Sequence, residues 1–138
     1  MRCLLLGAGM QARAIAHDLL RQPDLDHLDV VEFDGPTLDA FLADIADVRL
    51  RGHRGDVRDD AFTAPLFKGA DVCVSAVNYW YNAALTRTAI RHACHFLDLG
   101  GNNDVVAEQF AQHEAAQAAG VTILPDCGLA PGLAGLLG

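Results

Sequence analysis

The sequence has no long hydrophobic run and few positive charges. No apolar stretch reaches the ~20 residues that a membrane-spanning helix needs, and residues 3–6 form a run too short for the core of a signal peptide. Ten Lys and Arg residues against eighteen Asp and Glu residues give a formal net charge of −8. This balance disfavours a nucleic-acid partner, because such binding depends on neutralising phosphates. We therefore expect a cytoplasmic protein that binds neither a membrane nor a nucleic acid.

Residue types that commonly bind metals or act as nucleophiles are scattered. The four cysteines contain no C-x-x-C pair and are Cys3, Cys73, Cys94 and Cys127. The six histidines also lack metal-ligand spacing, so the sequence predicts no metal site and mostly structural, reduced thiols. Cys127 lies in a Gly/Pro loop, so a structural role is not assigned to this thiol. The only lysine, Lys68, follows no phosphate-binding glycine loop, which excludes a P-loop NTPase. Ser75 lies in SAVN rather than in a G-x-S-x-G motif, so a hydrolase has little support.

The sequence does contain enough apolar residues to build one domain. The chain has 138 residues, of which 51% are hydrophobic and 20% charged, and these values are typical of a single folded domain. Short β-prone apolar runs alternate with stretches of helical spacing, which predicts βαβ units. The predicted strands are residues 2–6, 28–33, 49–53, 71–77, 95–99 and 121–124, and the predicted helices are residues 10–21, 37–46, 61–67, 83–93 and 104–119. We therefore predict an α/β fold with a doubly wound parallel sheet of about six strands.

A glycine-rich turn follows the first predicted strand. The segment LLLGAGMQA contains the G-x-G-x-x-G/A form of the dinucleotide-binding fingerprint. The first glycine allows a tight turn, the second lets the backbone approach a pyrophosphate, and the final small residue keeps the helix close to the strand. The phosphates would then contact unpaired amides at a helix N-terminus. The predicted cofactor-binding residues of this turn are Gly7, Ala8, Gly9, Met10 and Gln11.

An acidic residue follows the second predicted strand at a distance that suits a nucleotide ribose. Asp34 lies 25 positions after Gly9, and a carboxylate at about this spacing hydrogen-bonds the ribose 2′-hydroxyl in dinucleotide-binding folds. The alternative for Asp34 is a plain surface-turn carboxylate. Glu32 is a competitor, but strand alternation directs it away from the face of Phe33. No basic residue follows Asp34 directly, which favours NAD over NADP, although Arg54 could reach a 2′-phosphate.

The other predicted strand ends carry small or hydrogen-bonding residues. Asp56 and Val57 follow the third strand and suit the edge and face of an adenine, with a helix-capping role for Asp56 as an equal alternative. The fourth strand ends in SAVN, whose small residues permit close approach to a ribose and a nicotinamide. The fifth ends in the polar turn DLGGN. Ligands bind beyond the carboxyl ends of strands in such sheets, so these ends together predict one cofactor site.

Three segments resemble a known enzyme family. GAGMQARAIAHDL, KGADVCVSAV and HFLDLGGNNDVVAEQFAQHEAAQAAGVTILPDCGLAPGLA are similar to the saccharopine dehydrogenase and lysine 6-dehydrogenase group, over nearly the whole chain and most strongly from 69 to 134. The resemblance implies the N-terminal NAD(P)-binding Rossmann domain of such an enzyme. It assigns the adenine side to Asp56 and Val57, the nicotinamide side to Ala76, Val77 and Asn78, and the substrate cleft to Asp98, Gly100, Gly101 and Asn102.

The resemblance also implies an activity and a missing part. It implies pyridine-nucleotide-linked oxidation of a C–N bond in a lysine-derived amino acid, or the reverse reduction, with a second domain that supplies the amino-acid site and homodimer contacts. Residues 1–127 would be the cofactor domain and 128–138 the start of the connection, so the chain alone is expected to be inactive. No general acid/base is assigned, since His95 suits a structural role better. The alternative is a standalone dinucleotide-binding regulatory or redox-sensing module.

Overall fold

A computed structural model describes residues 1–137, and its centre is a parallel sheet of six strands. The strands are β1 (Arg2–Leu6), β2 (His27–Glu32), β3 (Leu50–Arg54), β4 (Val72–Ser75), β5 (His95–Asp98) and β6 (Ile123–Leu124). Their order across the sheet is β3-β2-β1-β4-β5-β6, and every neighbouring pair is parallel. The chain therefore winds outward in one direction from β1 to β3 and then in the other from β4 to β6. This arrangement confirms the predicted doubly wound α/β fold of Rossmann type.

Helices cover both faces of the sheet. They are α1 (Met10–Leu19), α2 (Gly35–Ile45), α3 (Asp60–Gly69), α4 (Asn82–Arg91), α5 (Asn103–Phe110), α6 (His113–Ala119) and α7 (Ala134–Leu137), with a 3₁₀ turn at Tyr79–Tyr81 and a π-helical turn at Leu129–Leu133. On β1, Leu5 packs in the cluster that includes Phe41 of α2, whereas Leu4 packs in the opposite cluster with Phe67 of α3. Both faces of β1 are thus buried, which explains its continuous apolar run. Each fully buried leucine contributes about 1.5–3 kcal/mol.

The largest difference from the predicted elements is in the C-terminal third. The single helix predicted over 104–119 is two helices, because Gln112 leaves helical geometry with φ −93° and ψ 7°. Its side-chain amide donates to the carbonyl of Ala83 on α4. The predicted strand 121–124 shortens to β6, since the amide of Val121 bonds Ala116 and that of Thr122 bonds the His95 ring. Contacts between distant segments therefore override the local pattern here.

Two general properties of the described part of the chain bear on function. No helix within residues 1–137 is both long enough and apolar enough to cross a membrane. Within the same residues, no group of three or more His, Cys, Asp or Glu side chains is arranged to hold a metal ion. All four cysteines are free thiols, and Cys127 is the exposed one.

Candidate functional site

The glycine turn lies at the carboxyl edge of the sheet, between the ends of β1 and β4. Gly7 has φ +98°, a conformation that L side chains rarely adopt. A Cβ at this position would also lie 2.9 Å from the carbonyl oxygen of Ala76, just after β4. The amide of Gly7 donates to Val31 of β2 at 2.8 Å. Only glycine therefore satisfies both the turn and the close approach of β4.

Helix α1 starts in the turn with its N-terminus open to solvent. Gly9 occupies the N-cap position, and no side chain of residues 1–137 caps the helix. A Cβ on Gly9 would meet no atom within 4 Å, and Met10 is 88% exposed. Ala12 is buried at 1% exposure, which brings α1 against the sheet as the fingerprint predicts. The first-turn amides lack intrahelical partners, and such amides at an uncapped helix N-terminus suit an anion.

The carboxylate nearest the glycine turn belongs to Glu32. Its Oε2 accepts a hydrogen bond from the amide of Ala8 at 2.9 Å, and its Oε1 accepts one from the amide of Asp34 at 3.0 Å. The sequence disfavours Glu32 because strand alternation directs it away from the face of Phe33 and because the predicted strand continues to Phe33. Strand β2 instead ends at Glu32. The missed signal was spacing, since Glu32 follows Gly9 by 23 positions and also falls near the ~20 expected of a ribose-binding acid.

Asp34 lies beside this carboxylate but has a structural partner of its own. It is the N-cap of α2, and its side chain accepts hydrogen bonds from the Thr37 amide at 3.0 Å and the Thr37 hydroxyl at 2.6 Å. These bonds lower the pKa of the Asp34 carboxyl. The guanidinium of Arg54 lies close by, 3.3 Å from the position of a Cβ on Gly35. The end of β2 therefore presents two carboxylates with one arginine next to them.

The loop after β3 contributes a charge pair and an apolar surface. Arg58 binds the Asp56 carboxylate through Nε and Nη2, at 2.9 and 2.5 Å, and lowers the Asp56 pKa to about 2. The helix-capping alternative for Asp56 is not what the structure shows, because the N-cap of α3 is Asp59. Val57 is half-buried and packs against the core on the α3 side of the sheet.

One cleft brings several of the predicted residues together. Its volume is about 260 Å³, and its lining includes Gly7, Glu32, Phe33, Asp56, Val57 and Val77. Asp34 does not line this cleft. A larger groove of about 570 Å³ lies between α3 and α4 and adjoins the cleft through Val57, Arg58 and Tyr81. The glycine turn and the ends of β2, β3 and β4 therefore border one continuous concave surface.

A 3₁₀ turn follows β4 at the same edge. The Asn78 side chain accepts a hydrogen bond from the Trp80 amide at 3.1 Å and caps this turn. Asn82 is the first residue of α4 and is buried. Its Oδ1 accepts a hydrogen bond from the Ser75 hydroxyl at 2.8 Å. Ala76 and Val77 are half-buried and lie between Ser75 and Asn78 in the sequence, whose side chains make these hydrogen bonds.

The side chain of Asp98 holds the turn after β5 in place through hydrogen bonds. This side chain is fully buried, which differs from the expectation that it lines a substrate cleft. Its Oδ1 accepts hydrogen bonds from the amides of Gly100 at 2.8 Å and Asp126 at 3.1 Å. Its Oδ2 accepts a third bond, from the amide group of Gln109 at 2.7 Å. Asp98 thus joins the β5 turn, the loop after β6 and helix α5, and its oxygens are directed inward.

The remaining residues of the β5 turn surround this buried carboxylate. Gly101 is exposed and lies against the Tyr79 ring, where a Cβ would be 2.9 Å from Cδ1. The Asn102 side chain caps α5 through the amides of Asp104 and Val105. His95 lies at the opposite end of β5, where its Nδ1 accepts a hydrogen bond from Thr122 at 2.9 Å. Its position agrees with the structural role preferred from the sequence.

Comparison with known proteins identifies the family. The sequence-family model of the saccharopine dehydrogenase NADP binding domain matches residues 3–124 of this chain. The chain is similar in structure to a saccharopine dehydrogenase (L-Glu forming) from Saccharomyces cerevisiae, with a TM-score of 0.83, 22% identity and coverage of 99% of this chain and 29% of that chain. It is also similar to Mycobacterium tuberculosis shikimate dehydrogenase, with a TM-score of 0.62, 18% identity and coverage of 91% and 45%.

A third similar structure is a biliverdin reductase from Synechocystis in complex with biliverdin and NADP⁺, with a TM-score of 0.69, 14% identity and coverage of 90% of this chain and 37% of that chain. Likeness at these identities shows the fold. The chain spans less than half the length of these three proteins. The family is identified by the match over residues 3–124. This chain belongs to the saccharopine dehydrogenase NADP-binding domain family, whose members are dinucleotide-binding oxidoreductase domains.

Proposed function

We propose that this chain binds a nicotinamide dinucleotide across the carboxyl edge of its sheet and forms the cofactor half of an amino-acid dehydrogenase. The observation that carries the proposal is the uncapped N-terminus of α1 after the Gly7 turn, beside the neighbouring strands β1 and β4 where the direction of winding reverses. This is the position at which doubly wound sheets bind dinucleotides. The bound dinucleotide supplies hydride transfer, and the protein supplies binding and orientation.

The glycine turn is assigned to the pyrophosphate. The cofactor-binding residues proposed here are Gly7, Ala8, Gly9, Met10 and Gln11. Open space above Gly9 leaves room for phosphate oxygens near the first amides of α1, and the helix dipole favours their negative charge. The residues present therefore fit the group that the family name implies.

The end of β2 is assigned to the adenosine ribose. Asp34 remains the sequence-based proposal for the ribose hydroxyls, and the geometry adds Glu32, whose carboxylate already contacts the turn at Ala8. Two carboxylates support NAD, because a 2′-phosphate beside them is repelled. Arg54 lies near these carboxylates and supports NADP, as does the name of the family. We propose NAD as the preferred cofactor, with NADP as the alternative to be measured.

The other strand ends are assigned to the rest of the cofactor and the substrate. Asp56 and Val57 border the cleft on the side expected for adenine. The nicotinamide side is assigned to Ala76, Val77 and Asn78, and the wall facing the substrate is assigned to Gly100, Gly101 and Asn102. In this assignment Asp98 is buried behind the wall and holds it in position through three hydrogen bonds.

The whole enzyme proposed from the family oxidises a C–N bond of a lysine-derived amino acid, or reduces the corresponding imine. In this proposal residues 1–127 are the cofactor domain, and residues 128–138 lead to a second domain that completes the amino-acid site and a homodimer. Leu136 and Leu137 are 84% and 79% exposed, and such surface supports a further packing partner. The chain by itself is expected to bind cofactor without turnover.

Calorimetric titration tests the proposal directly. The purified chain is titrated with NAD⁺, NADP⁺, NADH, NADPH and ADP-ribose. Binding of at least one dinucleotide, accompanied by binding of ADP-ribose, is the expected result, because the adenosine and pyrophosphate contacts lie within this chain. Asp39→Asn removes one negative charge from an exposed position on α2. This variant is expected to bind the ligands as the unmodified chain does. Absence of binding by every one of these ligands would overturn the cofactor assignment.

A further inference from the structure

The 3₁₀ turn after β4 places three aromatic residues in succession, and two of them are anchored. Side chains in a 3₁₀ helix point about 120° apart, so each takes a different direction. The Tyr79 ring lies against Gly101 of the β5 turn. The Tyr81 ring packs with the core on the other side and has the Arg58 guanidinium 6.0 Å from its centroid. The middle residue, Trp80, packs on the Tyr79 ring and is 62% exposed.

Two hydrogen bonds hold the backbone of the turn at Trp80. Its amide donates to the Asn78 side chain at 3.1 Å, and the amide of Tyr81 donates to the Asn78 carbonyl at 3.1 Å. The ring of Tyr79 lies behind the indole, with ring centroids 4.5 Å apart and planes tilted by 41°. Trp is enriched at binding interfaces because its ring is apolar and its N–H is polar, so an exposed Trp beside a strand end suits contact with a ligand.

The position of the turn indicates which part of a ligand Trp80 can reach. Strand β4 is the neighbour of β1 across the point where the winding reverses, and Ala76 touches the glycine turn. The adenosine end of the proposed cofactor lies on the other side of that point, towards β2 and β3. The end of the cofactor on the β4 and β5 side is the nicotinamide.

We propose that the indole of Trp80 stacks against the nicotinamide ring and so positions it at the mouth of the substrate cleft. The inference rests on the proposed function and names a residue that the strand-end pattern did not single out. The oxidised nicotinamide is a planar cation, and Trp is the best aromatic partner for a cation. The Asp126 carboxylate, which lies against Gly100 in the neighbouring β5 turn, also favours a cation on this side of the sheet edge. The reduced ring is neutral, so the stacking favours the oxidised cofactor.

Paired ligands isolate this contact by calorimetry. NAD⁺ and ADP-ribose differ only in the nicotinamide end, and NADP⁺ with 2′-phospho-ADP-ribose forms the equivalent pair if NADP⁺ binds more tightly. Trp80→Ala is expected to weaken NAD⁺ binding roughly fivefold or more, as for loss of an aromatic stacking partner, and to leave ADP-ribose binding unchanged. Trp80→Phe is expected to restore most of the NAD⁺ affinity. Binding of NADH is expected to weaken less than that of NAD⁺ in Trp80→Ala.

Other calorimetric outcomes overturn the inference. Equal weakening of NAD⁺ and ADP-ribose would mean that Trp80 acts on the fold rather than on the nicotinamide, and no weakening would mean that it makes no contact. Phe110→Ala is the matched control, since Phe110 is 65% exposed and lines a pocket with α6 and β6 rather than the candidate cleft. If the unmodified chain binds neither NAD⁺ nor ADP-ribose, the proposed function fails and the inference fails with it.

Fluorescence provides a second readout, because Trp80 is the only tryptophan in the chain. Contact between an indole and a pyridinium ring quenches indole emission, whereas ADP-ribose has no such ring. We expect saturating NAD⁺ to quench the emission and saturating ADP-ribose to leave it nearly constant, with saturation of both established by calorimetry. Binding of NAD⁺ without quenching would exclude the stacked arrangement while leaving the cofactor assignment intact.

Discussion

The carboxylate of Glu32 accepts a hydrogen bond from the backbone amide of Ala8 at 2.9 Å. This contact joins the end of β2 to the turn that follows β1, across 24 positions of sequence. It places a negative charge next to the amides proposed to bind the pyrophosphate. The same carboxylate also contacts the amide of Asp34, so one side chain shapes both the glycine turn and the proposed ribose site.

The two carboxylates at the end of β2 are expected to contribute unequally to cofactor binding. Glu32→Gln is expected to weaken NAD⁺ about tenfold, because a hydrogen bond to a charged acceptor is worth about 1.5–3 kcal/mol. The NAD⁺ to NADP⁺ preference is expected to shift towards NADP⁺ in this variant. Asp34→Asn is expected to have the smaller effect, since Glu32 lines the cleft and Asp34 does not. Calorimetry of both variants checks this ranking, and a larger loss in Asp34→Asn would make Asp34 the principal ribose ligand.

Substitution of Gly7 is expected to destabilise the fold. Gly7→Ala introduces a side chain at φ +98°, 2.9 Å from the Ala76 oxygen, and we expect a loss of about 2 kcal/mol or more in the free energy of unfolding. Gly9→Ala is the matched control. Its φ is −76° and no atom lies within 4 Å of the added Cβ, so a loss below about 1 kcal/mol is expected. Urea denaturation measures both, and equal losses would contradict the close approach of β4.

Asp98 is expected to act through stability and loop position rather than through exposed chemistry. Asp98→Asn replaces one carboxylate oxygen with an NH₂ group, which faces the amide of Gly100, Asp126 or Gln109 and leaves a buried donor without an acceptor. We expect a loss of about 1–3 kcal/mol in the free energy of unfolding. The exposed Asp104→Asn serves as a control for the same chemical change. A neutral effect of Asp98→Asn in urea denaturation would contradict the three hydrogen bonds described above.

Acid stability is expected to depend on the ion pair between Arg2 and Asp71, which links the starts of β1 and β4. Hydrogen bonds from Arg2 lower the pKa of the Asp71 carboxyl from 3.8 to about 2. A group with a lowered pKa in the folded state stabilises the protein above its unfolded pKa and loses that contribution as the pH falls through the folded pKa. The stability difference between the unmodified chain and Asp71→Asn should therefore shrink between pH 4 and pH 2. Urea denaturation at several pH values measures it, and a constant difference would contradict the pairing.

Thiol chemistry is expected to separate Cys127 from the other cysteines. Burial raises the pKa of Cys3 to about 11 and that of Cys94 to about 12, and Cys73 is also raised by burial. Partial burial raises the pKa of the exposed Cys127 as well, so its alkylation should be slower than that of a free thiol and should accelerate at alkaline pH.

Mass spectrometry after native alkylation is expected to show one modified site, Cys127. Cys127→Ser should abolish that modification and leave the unfolded chain with three reactive thiols. Modification of Cys73 under native conditions would contradict its burial in the core.

The elements most predictable from sequence were those encoded by neighbouring residues. The run at β1 and the glycine fingerprint after it each occupy fewer than ten positions, and both were located correctly. The predicted helix over 104–119 was wrong in its continuity because the side chain of Gln112 bonds Ala83, 29 positions earlier. A local pattern contains no record of such a partner.

For the candidate site, the sequence predicted the types of residue but not the directions of their side chains. The types of residue at the strand ends indicated a dinucleotide site, but their directions depended on contacts across the sheet. Asp98 turns inward because Asp126, 28 positions later, donates to it. Glu32 reaches the glycine turn because β2 ends at that residue and lies beside β1. Trp80 became a candidate only in the structure, where Tyr79 packs behind the indole and leaves it exposed.

The sequence by itself determined the alternation of strands and helices, the small residues of the first turn and the family to which the chain belongs, because each depends on residue type and short spacing. The order β3-β2-β1-β4-β5-β6 was decided by the tertiary structure, as were the contact of Glu32 with Ala8 and the burial of Asp98. These features arise when segments far apart in sequence bury their apolar faces together. Only then do particular backbone amides and carboxylates come within hydrogen-bonding distance.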